Sequence, residues 1–260
     1  SLQVHEEILV EERARGEWRV VINRPAKHNA LSRNVLLGLS EAVSAIGANE
    51  DSRVIVLAGA GERYFAAGGD LKSLASVKDE AATVKMVEES RSALDAIRDC
   101  PVPVVAYLNG NAIGGGAELA LSCDMRMQAE WASIGFIQAT LAITSAWGGG
   151  SDLVQLVGPA RAMKMMSHRE LVSSEKALDW GLADTVIRQR AVDKDIEAFI
   201  EPILQCTPRV LRGIKAQTRA WRQGLPYAER RAVEQQQLLK TWLHQDHWTA
   251  SDKLLAWRPK

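Results

Sequence analysis

Pro101-Val-Pro-Val-Val-Ala-Tyr-Leu-Asn-Gly-Asn-Ala-Ile-Gly-Gly-Gly-Ala-Glu-Leu-Ala-Leu-Ser-Cys-Asp124 sets an apolar run, a glycine triplet and a glutamate end to end. Val102 to Leu108 is β-branched and aromatic enough for a buried strand, Asn109-Gly110 punctuates it, and a helix is expected from Glu118 onward. Glycines at such a junction permit close approach of the backbone and aim the free amides of a helix N-terminus at something negative. A phosphate or an oxyanion would both suit those amides. Glu118 argues against the phosphate, because a carboxylate beside the triplet repels it, whereas next to a reacting carbonyl the same group can serve as acid or base. The plainer alternative is a tight packing turn, with Glu118 a first-turn residue favoured by the helix dipole.

Outward from this stretch the arrangement recurs. Gly59-Ala-Gly-Glu-Arg-Tyr-Phe-Ala-Ala-Gly68-Gly69-Asp70-Leu-Lys-Ser-Leu again follows an apolar run, Arg53 to Gly59, and again precedes a helical pattern that Asp70 can cap. Upstream, Ile8 to Glu12 and Glu17 to Ile22 flank Ala14-Arg-Gly16 as a hairpin, and Ser32 caps a helix with apolar positions at Val35, Leu36, Leu39, Val43 and Ile46. Asp79 to Asp99 repeats the helical spacing at Val84, Val87, Leu94 and Ile97. Downstream, 125–130 alternates as a strand, Gly148-Gly149-Gly150 precedes a helix over 151–157, and helices are expected over 161–166, 174–180 and 193–204. The rhythm to about Ile187 is strand, turn, helix, which predicts an α/β core; beyond Thr207-Pro208 only helical spacing remains. We expect a core over 1–190 and a helical region over 191–260, whose Trp242, Trp248 and Trp257 call for a covering partner.

Composition narrows the function classes. The 260 residues are 47% hydrophobic and carry 32 basic and 32 acidic side chains, so no global field recommends a nucleic acid. Neither a secretory leader, judged from Ser1 to Glu7, nor a membrane span is expected. Cys100, Cys123 and Cys206 are odd in number and lack metal-ligand spacing, which suits reduced thiols in the cytoplasm. His244 and His247 stand i, i+3 without a third ligand, and no metal site is expected.

Taken together, Asn29-Ala-Leu-Ser, Phe65-Ala-Ala-Gly-Gly-Asp-Leu, Asn109 to Ala120, Cys123-Asp124 and Ala177-Leu-Asp-Trp-Gly-Leu-Ala-Asp resemble the enoyl-CoA hydratase/isomerase (crotonase) family over roughly residues 5–260. The resemblance implies a spiral of repeated ββα units, C-terminal helices that form homotrimers or dimers of trimers, acyl-CoA thioester substrates, and no cofactor beyond the coenzyme A of the substrate. It also implies roles. One amide from each glycine turn, Gly69 and Gly115, would form an oxyanion hole, and Glu118 would be the principal acid or base. Lys27, Ala30, Ala67, Gly68, Asp70, Leu71, Ile113, Gly114, Ile137 and Trp147 would line the acyl-CoA site.

One departure stands out. Family hydratases carry a second glutamate in a Pro-Glu stretch ahead of a glycine pair, and aligning Gly148-Gly149 with that pair places Ile137-Gln138 there. A carboxamide orients but does not exchange protons near neutral pH. Hydration asks for two such groups, so the site is expected to hydrate slowly, to isomerise with Glu118 alone, or to decarboxylate a malonyl-type acyl-CoA, whose departing CO₂ makes the enolate without a base. Ser145-Ala-Trp147-Gly-Gly resembles a stretch of the ethylmalonyl-CoA decarboxylase branch. A weakly active acyl-CoA binding protein is the further alternative.

Overall fold

The computed structural model describes residues 6–259; residues 1–5, part of the stretch read for a leader, lie outside it. In chain order the elements are β1 (Ile8–Glu12), β2 (Glu17–Ile22), α1 (Arg33–Ala48), β3 (Val54–Gly59), β4 (Tyr64–Ala66), α2 (Glu80–Arg98), β5 (Val104–Leu108), β6 (Asn111–Ile113), α3 (Gly115–Ser122), β7 (Met125–Ala129), β8 (Ser133–Gly135) and α4 (Gly149–Val157). There follow α5 (Pro159–His168), β9 (Val172–Ser173), α6 (Ser174–Trp180), β10 (Thr185–Ile187), α7 (Val192–Leu204), α8 (Pro208–Arg222), α9 (Tyr227–Trp242) and α10 (Gln245–Ala256).

The strands divide between two sheets by alternation. One has the order β1-β2-β3-β5-β7-β10, parallel except for the β1–β2 hairpin; the other has the order β4-β6-β8-β9. Each pair β3–β4, β5–β6 and β7–β8 therefore gives its first strand to the large sheet and its second to the small one before a helix returns, which is a spiral of ββα repeats. Leu31 bridges to Gly69 as a further parallel contact, so the coil containing α1 joins the same stack.

Period two explains the burial. Ile55 and Leu57 of β3, with Val104, Ala106 and Leu108 of β5, enter the cluster that holds α1, α2 and the small sheet. Their alternates Val54, Val56, Val105 and Tyr107 enter a second cluster under Ile196, Ile200 and Leu204 of α7. Both faces are covered, and for that reason these strands read as unbroken apolar runs. In the C-terminal region, α7 and α8 bury residues against the core, whereas α9 and α10 bury none among the described residues.

Several boundaries differ from the sequence expectation, among them α5, which runs over Pro159–His168 and not 161–166. The helix after the first glycine triplet starts at Gly115, not Glu118, and α4 starts at Gly149, not Ser151, because glycines at a first turn lose no needed side-chain contact. After Gly69, residues 71–76 form turns and the helix begins only at Glu80, capped by Asp79, whose side chain accepts from the Ala82 amide. The short strands β4 and β6 lie inside stretches read as turns; three residues are too few to show a period. His244 caps α10 through its ring, accepting from the Asp246 amide at 3.1 Å, and the His247 ring packs against Trp242 with centroids 4.5 Å apart.

Candidate active site

Two asparagines fasten the repeats where the turns begin. Asn109 Oδ1 accepts from the Gly59 amide (2.8 Å) and its Nδ2 donates to the carbonyls of Gly61 and Tyr64 (2.8 and 3.0 Å). Asn29, with Oδ1 accepting from the Arg24 amide and Nδ2 donating to Ala60 and Tyr64, does the same one coil earlier. In the sequence Asn29 stands as a motif member and Asn109 also as a turn residue. Their role follows from backbone groups that no local pattern displays.

The glycine turns then meet. Gly114 has φ +58° and ψ −124°, a conformation closed to ordinary side chains, and its amide donates to the Gly135 carbonyl of β8 at 2.9 Å. This turns the chain into α3, leaving the Gly115 amide at the helix start without an intrahelical acceptor. Gly68, φ +96°, gives its carbonyl to the Leu31 amide (2.6 Å), and a Cβ on it would stand 3.3 Å from the Gly115 nitrogen. Among the described residues the amides of Gly69 and Gly115 have no acceptor. Gly116 lets the coils close: a Cβ there would lie 2.0 Å from the Ala66 carbonyl oxygen.

Glu118, on the first turn of α3, is only 2% exposed. Its Oε1 accepts from the amides of Trp147 (2.9 Å) and Gly149 (3.1 Å), and its Oε2 from Gln138 Nε2 (3.3 Å). Burial pushes the carboxyl above the usual carboxylate range, against the pull of those donors and of Arg98. Oε1 is thus held by two fixed amides, while Oε2 has a single long bond and a lone pair to spare. Gln138 reaches it from a 3₁₀ turn, Gln138–Leu141, next to Ile137, whose Cγ1 would lie 3.8 Å from a Cβ placed on Gly114.

Trp147 is buried and its six-membered ring fills the space above Gly115, where a Cβ would come within 2.3 Å of it. It also walls a cleft of about 610 Å³ shared with Gly69, Asp70, Leu31, Leu36, Leu74 and Met86. Gly69, Gly114, Gly115, Glu118, Ile137, Gln138 and Trp147 are therefore brought together. Asp70 stays at the rim, where Arg24 (3.2 Å) holds its carboxyl below the usual range. Ala67 is half-buried beside Gly68, Ile113 is half-buried ahead of Gly114, and Leu71 is 61% exposed on the loop. Lys27 is exposed on the Pro25–Lys27 turn, its carbonyl accepting from the Ala30 amide, one residue before the Leu31 bridge.

The model of the enoyl-CoA hydratase/isomerase family matches residues 13–253. The chain is similar to an ethylmalonyl-CoA decarboxylase of Xenopus laevis, 29% identical over 77% of this chain and 67% of that protein. It is also similar to a peroxisomal Delta(3,5)-Delta(2,4)-dienoyl-CoA isomerase of Arabidopsis thaliana, 31% identical over 76% of each. The chain spans between 64% and 67% of the length of the first curated relatives it matches. Among solved structures, an enoyl-CoA hydratase from Bacillus anthracis superposes with a TM-score of 0.89 at 29% identity, covering 96% of each chain.

Proposed function

The chain belongs to the enoyl-CoA hydratase/isomerase family, and from that premise we propose that it moves a single proton along an enoyl-CoA thioester, isomerising its double bond. The observation that carries this reading is the buried carboxylate of Glu118, with the carboxamide of Gln138 3.3 Å away where a second acid would stand. With the thioester oxygen between the amides of Gly69 and Gly115, Glu118 Oε2 takes a proton from C2 of a 3-enoyl chain. The electron pair spreads to the oxygen as a dienolate, and the same oxygen of Glu118 returns the proton to C4, leaving the 2-enoyl product. One base serves both steps. Fixed donors in a dry site lower the cost of that charge, and losing one typically slows such reactions by about 10²–10³.

Decarboxylation of a malonyl-type acyl-CoA is the second reading. It needs the oxyanion hole but no base, and the similarity to the decarboxylase of Xenopus laevis favours it. Hydration, which asks for water activation beside proton delivery, suits one carboxylate least. No helix among the described residues is long and apolar enough to cross a membrane. We take the enzyme to work in the cytoplasm, and to assemble as a homotrimer or a dimer of trimers because Leu238, Trp242 and Leu255 on α9 and α10, and Leu243 between them, are all left roughly half exposed or more; a stable monomer in light scattering would refute the assembly.

The deciding experiment incubates the enzyme with 3-hexenoyl-CoA, crotonyl-CoA and ethylmalonyl-CoA in D₂O and follows them by NMR. Migration of the double bond in the first, abolished by Glu118→Gln, supports isomerisation. Loss of CO₂ from the third that survives Glu118→Gln supports decarboxylation, and hydration of crotonyl-CoA as the fastest reaction would overturn the one-carboxylate argument.

A further inference from the structure

The two amides that hold Glu118 belong to one turn, 147–149, and Arg98 holds that turn from behind. Arg98 closes α2. Its Nη2 donates to the Trp147 carbonyl (2.9 Å) and to Asp152 Oδ2 (2.9 Å), Nε donates to the same Oδ2 (3.3 Å), and Nη1 to Asp95 Oδ1 (2.9 Å). A planar fork with three acceptors has one orientation left. Gly148 makes the approach possible, since a Cβ there would lie 3.0 Å from Nη2. Asp152, the first-turn acid of α4, faces Arg222 Nη2 of α8 across 3.4 Å, and Arg222 donates in turn to the carbonyls of Leu121 and Ser122 at the end of α3. One charged chain thus ties α2, α3, α4 and α8 around the turn that presents Trp147 and Gly149 to the carboxylate.

We infer that Arg98 is a positioning residue for the reaction: it fixes the amides that aim Glu118 and supplies the positive charge that keeps this buried carboxyl available as a base. The inference rests on the reading of Glu118 as the proton carrier. Among the described residues Arg98 is the charged group acting on Glu118, whose other partners, Gln138 and the amides of Trp147 and Gly149, are neutral; Arg98 itself faces Asp95 and Asp152, with Arg222 behind the latter. Taking its charge away favours the protonated carboxyl, so the titration of Glu118 moves to higher pH.

The test reads the carboxyl directly. Protein labelled with ¹³C at the glutamate side-chain carboxyl is titrated by NMR, the Glu118 signal being the one missing from Glu118→Gln, and kcat and KM are measured across pH on the substrate that the wild type turns over. Arg98→Met should raise the Glu118 midpoint, move the acidic limb of kcat/KM with it, and lower kcat on the order of 10²-fold, the effect of a displacement near 1 Å, with KM little changed. Arg98→Lys keeps the charge without the fork, so the midpoint should stay near wild type while kcat remains low. A Glu118 midpoint and kcat in Arg98→Met both indistinguishable from wild type would overturn the inference. Should Arg98→Met fail to fold, Asp152→Asn gives the decision: lowered kcat at kept KM supports the clamp, and unchanged kcat refutes it. If no acyl-CoA is turned over by the wild type but the midpoint still moves in Arg98→Met, the reaction assigned above fails and the positioning stands.

Discussion

Replacing Gly149 by alanine tests the site with one methyl group. Gly149 opens α4 with its amide 3.1 Å from Glu118 Oε1, and a Cβ on it would lie 2.3 Å from Glu118 Cγ, 2.6 Å from its Cβ and 2.8 Å from its Cα. Ordinary contact begins near 3.4 Å, so the two helices must part or the glutamate must swing by about 1 Å, and the backbone atom among the contacts means that a rotamer change alone is not enough. Overpacking of this kind costs roughly 1–3 kcal/mol, and alanine recovers up to about 1 kcal/mol over glycine in a helix, which leaves a net loss of about 0–3 kcal/mol. A 1 Å misplacement of a catalytic group is worth on the order of 10²-fold in rate. Gly149→Ala should therefore remain folded in urea denaturation, with an unchanged m-value, while kcat falls about a hundredfold. Turnover within about threefold of wild type at unchanged stability would show that the position of Glu118 does not set the rate.

Glu118→Gln should gain stability over the wild type as pH rises through the titration of Glu118. Burial raises the native carboxyl pKa above the roughly 4.3 of an unfolded chain, so the native state binds the proton more tightly, and stability is complete below that pH and lost as pH rises through the native value. The melting-temperature advantage of the variant must therefore grow with pH, and an advantage that shrinks contradicts the burial argument. Gln138→Glu places a second carboxylate beside the first; the pair should hold one proton to higher pH than either alone, and hydration of crotonyl-CoA should rise with a bell-shaped pH profile, an unchanged rate counting against the account of Gln138. Lys215→Met leaves Asp124 without the ammonium 2.5 Å away; Arg222 at 3.9 Å and the Val104 amide remain, so we expect a loss of about 2–4 kcal/mol in chemical denaturation, and a variant as stable as wild type would show the pair to be dispensable.

The elements that the sequence displayed were those whose two faces are both buried or whose helical stripe is long. Val54–Leu57 and Val104–Leu108 read as strands because each alternate residue meets a different apolar layer, and α1 is announced by Ser32 and its stripe. What stayed hidden has little chain to speak with. Three-residue strands such as β4 and β6 carry no period, and the junctions are governed by carboxamides of Asn29 and Asn109 that answer main-chain groups tens of residues away. Both glycine turns and Glu118 were visible, since glycine at such density has few other uses. Arg98 was not: at the end of a helix it looks like any basic residue facing the dipole, and its acceptors on Trp147 and Asp152 lie about fifty positions downstream.

The groups at Gly69 and Gly115 that we propose to face the reacting oxygen belong to the main chain. A substitution can crowd them or tilt them, as a methyl beneath Trp147 would, and among the twenty residues proline alone removes the N–H itself. The capacity to tolerate negative charge is therefore written into the folding of the coils, while the choice of reaction is left to exchangeable side chains such as the one at Gln138. A lineage built this way can trade one carbon chemistry for another and never have to rebuild the part that makes carbon acidic.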